Sequence, residues 1–381
     1  MCCSSRLPRT KQTGAGGSLA RAVALVFVLA IAASSSAQAQ SPEPAPCPYR
    51  CFPTPPIPTP SSINADISAG STAANLGSSF LERLGDQATN GFGSALRNNP
   101  GGGGASQSSD PPVFRTWGEA YGITANTQAQ GNFVGDSRST VGGVAGVGAR
   151  IAPGVNIGLS VDQSDTAIDV PLAFQSATLD LTQIGFNASV DKGPWTWALA
   201  VVHGFGTVGS RRETFFGRIA TASYNAQIDG ALTELSYYWS SGQTRIVPKA
   251  ALEYTRATTG AYQEVGGFDP VAASATAAER ARVLIGAEVG HYWIVDGKIF
   301  DLSGYSKFVD NFVQNFGAST VTLGPESIAV QGVGEGQYGV DAGASASLNV
   351  TNAVRVYINY DAKFRTAMQS HQGTLGIEFR W

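Results

Sequence analysis

The sequence predicts an all-β membrane protein, a transmembrane antiparallel β-barrel of about twelve strands, and three observations carry that reading. Only 14% of the 381 residues are charged and 46 are glycine, whereas an average soluble domain has about 25% charge and about 7% glycine. The mean hydropathy is −0.01, and no apolar run after the first forty residues approaches the roughly 20 residues that a membrane-spanning helix needs. From Phe114 to Trp381 apolar and polar residues alternate over long segments, the period of a strand with two unlike faces. An ordinary soluble helical enzyme, a coiled coil and an acidic disordered chain are excluded as starting points.

Residues 1–39 read as a secretory signal peptide. Arg6, Arg9, Lys11 and Arg21 make a basic leader with no acid, and Ala22 to Ala33 form an apolar run too short to span stably. Small residues at Ala37 and Ala39 predict cleavage between Ala39 and Gln40. Removing those four cations from 25 leaves 21 against 28 acids, a net charge of −7. No basic stripe for nucleic acid survives that subtraction. Cys2 and Cys3 leave with the leader; Cys47 and Cys51 remain. An oxidising exported compartment favours a short disulfide between them, the alternative being free or intermolecular thiols. His203, His291 and His371 lie far from these cysteines in sequence, so no metal site is expected.

Residues 40–73 open with a proline tract, PEPAPCPYRCFPTPPIPTP, which favours extended polyproline II and packs no core of its own. The segment reads as disordered. Over residues 74–98 the pattern becomes helical: Leu76, Phe80, Leu84, Ala88, Phe92 and Leu96 recur every four positions. Asn99-Pro100 and the GGGGASQSSD run then make residues 99–113 a linker.

In residues 114–381 the alternation is clearest at the end, where Leu375, Ile377, Phe379 and Trp381 interleave with Thr374, Gly376, Glu378 and Arg380. The same pattern places Val354, Val356, Ile358 and Tyr360 on one face, and likewise Val340 to Val350, Val283 to Val289 and Val155 to Val161. Turn residues such as Pro153-Gly154, Lys192-Gly193, Ser241-Gly242 and Asp296-Gly297 separate the segments. About twelve segments of this length suit membrane strands of about 9–11 residues, apolar outward and polar inward. Soluble sandwich strands are shorter. Trp195, Trp197, Tyr237, Trp239, Tyr254, Tyr292, Trp293 and Trp381 fall near segment ends, where interfacial aromatics belong. Charge facing lipid is costly at mid-membrane, so Arg280, Arg282, Glu288, Arg355, Asp361, Glu378 and Arg380 should line the lumen.

Three segments carry a resemblance to a known family. They are Phe80-Leu81-Glu82-Arg83-Leu84-Gly85-Asp86, Arg115-Thr116-Trp117-Gly118-Glu119-Ala120-Tyr121-Gly122 and the terminal Phe379-Arg380-Trp381. In this order they resemble the β-domain of type V autotransporters of the Gram-negative outer membrane, over residues 74–381. The resemblance implies a twelve-stranded barrel with the N-terminal α-helix threading its lumen, and export of an upstream passenger. Leu375, Ile377, Phe379 and Trp381 would then form the strand that the barrel-assembly machinery recognises. Only residues 40–113 precede the barrel here, so no large passenger activity carries over. Some autotransporters sever themselves at an Asn-Asn pair just before the segment matched by Phe80 to Asp86. This chain has Ser78-Ser79 there, which cannot form the cyclic imide, and an intact chain from Gln40 to Trp381 is expected.

No enzymatic motif stands against that reading. Gly334-Glu335-Gly336-Gln337-Tyr338-Gly339 matches a dinucleotide fingerprint formally, but strand-like alternation follows where a helix is required. Gly135-Asp136-Ser137 matches the start of an esterase block, and a polar turn explains it. The expectation is a non-enzymatic translocator or anchor without cofactor, a monomeric barrel exported through the Sec machinery and seated in outer-membrane lipid. A small-solute pore or structural barrel is the alternative, and a surface adhesin comes behind it.

Overall fold

The computed structural model describes residues 58–97 and 113–381, and side chains in the first stretch through residue 89. The leader, the Ala39–Gln40 junction, Cys47 and Cys51 and the 99–112 part of the linker lie outside the described residues.

A short 3-10 turn, Pro60–Ile63, leads into helix α1, Asn64–Arg97. Twelve long strands follow: β1 Phe114–Thr127, β2 Asp136–Ala152, β3 Val155–Val170, β4 Gln175–Lys192, β5 Trp195–Glu213 and β6 Ile219–Tyr237. The second half comprises β7 Thr244–Thr259, β8 Thr276–Val295, β9 Lys298–Phe316, β10 Tyr338–Asn349, β11 Val354–Arg365 and β12 Met368–Arg380. Each pairs antiparallel with its sequence neighbour, and β1 closes on β12 from Arg115↔Arg380 to Thr127↔Met368. The ring therefore has no free edge strand, so the ladders bond to one another around the barrel.

The two rims differ. Two-residue turns at 153–154, 193–194, 242–243 and 296–297, and a four-residue turn at 350–353, join strands at the rim that carries Phe114 and Trp381. The longer connections, 260–275 and 317–337 among them, sit at the other rim, where four short strands add a small sheet. Short periplasmic turns and long external loops are the rule for outer-membrane barrels. The apolar face of every alternating segment points outward, with Leu159, Val289, Ile358 and Leu375 exposed. Trp195, Trp197, Trp239, Trp293 and Trp381 ring the short-turn rim, and Trp195 meets Tyr237 edge-on at 4.8 Å. Tyr254 lies apart from that ring, exposed and nearer the long-loop end of β7, in register with Ala231 of β6 and Val201 of β5.

Helix α1 begins ten residues earlier than residues 74–98 predicted, inside the segment read as disordered. Its added turns carry Ala65, Ser68, Ala69, Ser71, Thr72 and Ala73, all buried. Small side chains there fit between Ile168, Leu179, Val208 and Ile228 of the wall, so no stripe of large apolar residues marks the helix. Gly77 shows how close the approach is: a Cβ at that position would lie 2.6 Å from Cγ2 of Ile228.

Candidate functional site

The lumen of the barrel is the candidate site, and α1 fills it along one side. Phe80, Leu81 and Leu84 pack with Trp117, Val144, Ala200, Val202 and Leu232. With the earlier alanines, this seats the apolar face of the helix on the inner surfaces of β3 to β7. No helix among the described residues is long and apolar enough to cross a membrane; α1 runs inside the barrel, shielded from lipid.

The direction of α1 follows from its two ends. At the first, the side chain of Gln175 donates to the Ser61 carbonyl at 2.7 Å and accepts from the Ala65 N–H at 2.9 Å. The Tyr224 hydroxyl donates to Asp66 at 2.7 Å, and Ile63 packs with Val271, Val321 and Val330 of the small sheet. That is the long-loop rim. Near the second end, Arg115 at the start of β1 donates to the Gln87 carbonyl at 2.8 Å. The chain therefore runs from the long-loop rim through the lumen to the short-turn rim, and there enters the barrel.

Charged contacts fix the polar face of the helix. Glu82 accepts from Lys363 at 2.7 Å and from Arg282 at 2.5 Å, while Arg282 also holds Glu253 at 2.8 Å. Arg83 pairs with Glu119 at 2.9 Å and lies over the Tyr121 ring at 4.2 Å. The Tyr121 hydroxyl donates to Asp162 at 2.9 Å, and the Tyr357 hydroxyl to Glu119 at 2.7 Å. Lys249 bridges Asp86 at 3.3 Å and Glu288 at 3.4 Å. Charges removed from water are tolerated only when paired, and these pairings link α1 to β1, β3, β7, β8 and β11.

The seven charges named from the sequence do not form one cluster. Arg280 ion-pairs with Glu335 at 2.7 Å and donates to Asn75 at 2.9 Å and to the Ser78 hydroxyl. Ser78 in turn donates to Glu253 at 2.6 Å. Asp361 accepts from Tyr305 at 2.6 Å. Glu378 gathers Arg115, Arg355 and Arg380 at the short-turn rim. Arg280, Arg282 and Lys363 line a cavity of about 40 Å³ beside the helix, room for about one water. Gly334 to Gly339 holds no phosphate cradle: it leads directly into β10, and its Glu335 is buried between Arg280 and Arg365. Burial pushes the Glu335 carboxyl up, but Arg280 first and Arg365 next hold it down to about 2. The helix partners Glu82, Arg83 and Asp86, and Glu119, Asp162, Glu253, Lys249 and Lys363 on the wall, were missed as site residues by sequence reasoning. They pair across large separations, and only their place on the polar faces of amphipathic segments signals them.

A model of the autotransporter beta-domain family matches residues 116–361. The chain belongs to the autotransporter β-domain family. Its fold is similar to the translocator domain of the autotransporter NalP from Neisseria meningitidis, with a TM-score of 0.65 and 14% identity over 83% of this chain and 100% of that one. It is also similar to the beta domain of the Bordetella autotransporter BrkA, with a TM-score of 0.53 and 12% identity over 71% of this chain and 100% of the other. No curated protein matches it in sequence. The autotransporter barrel is an outer-membrane translocator of a Gram-negative cell, and its long-loop rim faces outward.

Proposed function

We propose that this autotransporter barrel is a non-enzymatic anchor that carries its own short N-terminal segment, residues 40–57, to the cell surface and keeps it attached. The direction of α1 supports the reading most: its first described residues, from Ser61 to Ala65, are held at the long-loop rim. The ionic contacts along α1 support retention, since the helix seats as a fixed part of the barrel. Export through the Sec machinery, cleavage between Ala39 and Gln40, insertion by the barrel-assembly machinery and a monomeric barrel in outer-membrane lipid complete the proposal. Protease shaving of intact cells tests it. Loss of an N-terminal epitope placed after Gln40, with the barrel retained, is expected; an epitope protected until the outer membrane is opened would overturn it.

A further inference from the structure

Helix α1 does not fill the lumen. Twelve strands about 4.8 Å apart and tilted about 40° close a backbone ring roughly 24 Å across. A helix with its side chains is about 10–12 Å wide. Because the apolar face of α1 lies on β3 to β7, a crescent of space is left along β9 to β12. The wall there is small and polar. Ser303 of β9, Ser345 of β10 and Asn359 of β11 stand in register and are half-buried, and Ser345 is hydrogen-bonded to Asn359 at 2.7 Å. Asp86 of α1 keeps 46% of its side chain exposed although the barrel surrounds it, and the neighbouring Gln87 is held by Arg115 at the short-turn rim. Water therefore enters the crescent from that rim.

At the long-loop end the crescent is stopped. The chain leaves the small-sheet hairpin of Ala318–Leu323 and Glu326–Gln331, turns inward as Gly332 to Gln337, and then begins β10. Gln130 of the β1–β2 connection donates to the Gly334 carbonyl at 3.1 Å. Asn311 and Gln314 of β9 donate to the Gly336 carbonyl at 2.8 and 3.0 Å. This strap thus runs from β9 towards β1, across the mouth bounded by β10 to β12.

Glu335 is the tip of the strap, 4% exposed and set between Arg280 of β8 and Arg365 of β11. Arg365 also holds Asp341 at 2.6 Å, and Arg280 holds Asn75 and Ser78 of α1. Arg280, Glu335, Arg365, Asp341 and Ser78 are all buried. One ion-paired layer therefore joins the strap, two strands and the helix across the passage. Gly334 and Gly336 flank the carboxylate, and Gly336 has φ of 97°, a conformation that glycine adopts freely; the chain can enter and leave the lumen within three residues.

A buried layer of this kind excludes water while its charges are matched, and removing one partner leaves the others uncompensated. We propose that Gly334-Glu335-Gly336 seals a water-filled half-channel beside α1, and that displacing this strap lets small inorganic ions cross the barrel. The helix blocks one side of the lumen and the Glu335 strap the other.

The test measures the conductance of purified full-length mature protein in planar phospholipid bilayers bathed in potassium chloride. Glu335→Arg, which sets three guanidinium groups together, should conduct at least fivefold more than the unaltered protein. Adding Arg280→Glu to that variant restores an ion pair and should reseal it. Glu335→Ala should open the passage as well, and it decides the question if Glu335→Arg loses its gel heat-modifiability. Glu82→Gln, which loosens α1 and leaves the strap in place, should stay closed. Folded Glu335 variants that conduct no more than the unaltered protein overturn the seal, as does an unaltered protein that already conducts as they do. A double variant as open as Glu335→Arg, or a Glu82→Gln protein that conducts equally well, also overturns it. Whole-cell shaving tests the anchor reading independently of these outcomes.

Discussion

Glu82 of α1 and Lys363 of β11 form an ion pair at 2.7 Å inside the lumen, and it joins the helix to a wall that its apolar face never touches. Replacing Glu82 by Gln removes the carboxylate from Lys363, which keeps the Ser79 hydroxyl at 3.4 Å, and leaves Arg282 with Glu253 as its carboxylate partner. A hydrogen bond to a charged group contributes about 1.5–3 kcal/mol, so E82Q should lower stability by roughly that amount. Combining it with Lys363→Met should cost less than the two changes summed, in a denaturant double-mutant cycle. Strict additivity would show that the pair contributes nothing.

Gly77 gives a prediction with a change of sign. Alanine is better than glycine in a helix by up to about 1 kcal/mol, yet its Cβ would lie 2.6 Å from Ile228, and overpacking costs about 1–3 kcal/mol. G77A should therefore destabilise the protein, and the same change in an Ile228→Ala background should stabilise it. Thermal unfolding of the four proteins checks both signs.

Barrel closure depends on the last residues. The Trp381 N–H donates to the Phe114 carbonyl at 3.0 Å, and the Trp381 carbonyl accepts from the N–H groups of Val113 and Phe114. Deleting Phe379-Arg380-Trp381 removes these bonds and one end of the β1–β12 seam. The truncated chain should accumulate as periplasmic aggregate or degraded protein, with no heat-modifiable band on gels; normal outer-membrane levels would contradict the closure argument.

Legibility varied around the ring for a physical reason. β10 to β12 alternate cleanly because their inner faces meet charge and their outer faces meet lipid. In β5 the run Trp197-Ala198-Leu199-Ala200-Val201-Val202 is apolar on both faces, since Ala200 and Val202 lie against Phe80, Leu81 and Leu84. Failed alternation there was itself the imprint of α1. The opposite error came at residues 64–73, where small residues fit a crowded lumen and carry no periodic large side chain. The ion pairs were not legible: Glu82 and Lys363 stand 281 positions apart, and no local pattern links them.

Glu335 makes stability depend on acid. Arg280 and Arg365 hold its carboxyl at about 2 in the folded protein, against an ordinary 4.5. A depressed pKa contributes stability that is complete above the unfolded value and disappears as pH falls through the folded one. The unaltered protein should therefore melt above E335Q at pH 6, and the gap should close between pH 4.5 and about 2. A gap independent of pH would remove the carboxylate from the explanation.

The mature chain should remain whole. By the sequence resemblance, Ser78-Ser79 stand where some autotransporters would have a self-cleaving Asn-Asn pair, and the Ser78 hydroxyl is held between Glu253 and Arg280. Mass spectrometry of purified protein should give one species from Gln40 to Trp381. A major fragment beginning near Ser79 or Asn99 would show cleavage within or just after α1.

The course of α1 also has a mechanical side. A pull on the chain ahead of Pro58 acts along the helix axis, whereas Glu82–Lys363, Arg83–Glu119 and Asp86–Lys249 reach sideways to the wall. Such contacts are loaded in shear and share the force, and withdrawal by one helical turn of about 5.4 Å ruptures all of them together. A tract tethered this way resists extraction as a bolt does, while the same number of pairs peeled from one end would give way in succession.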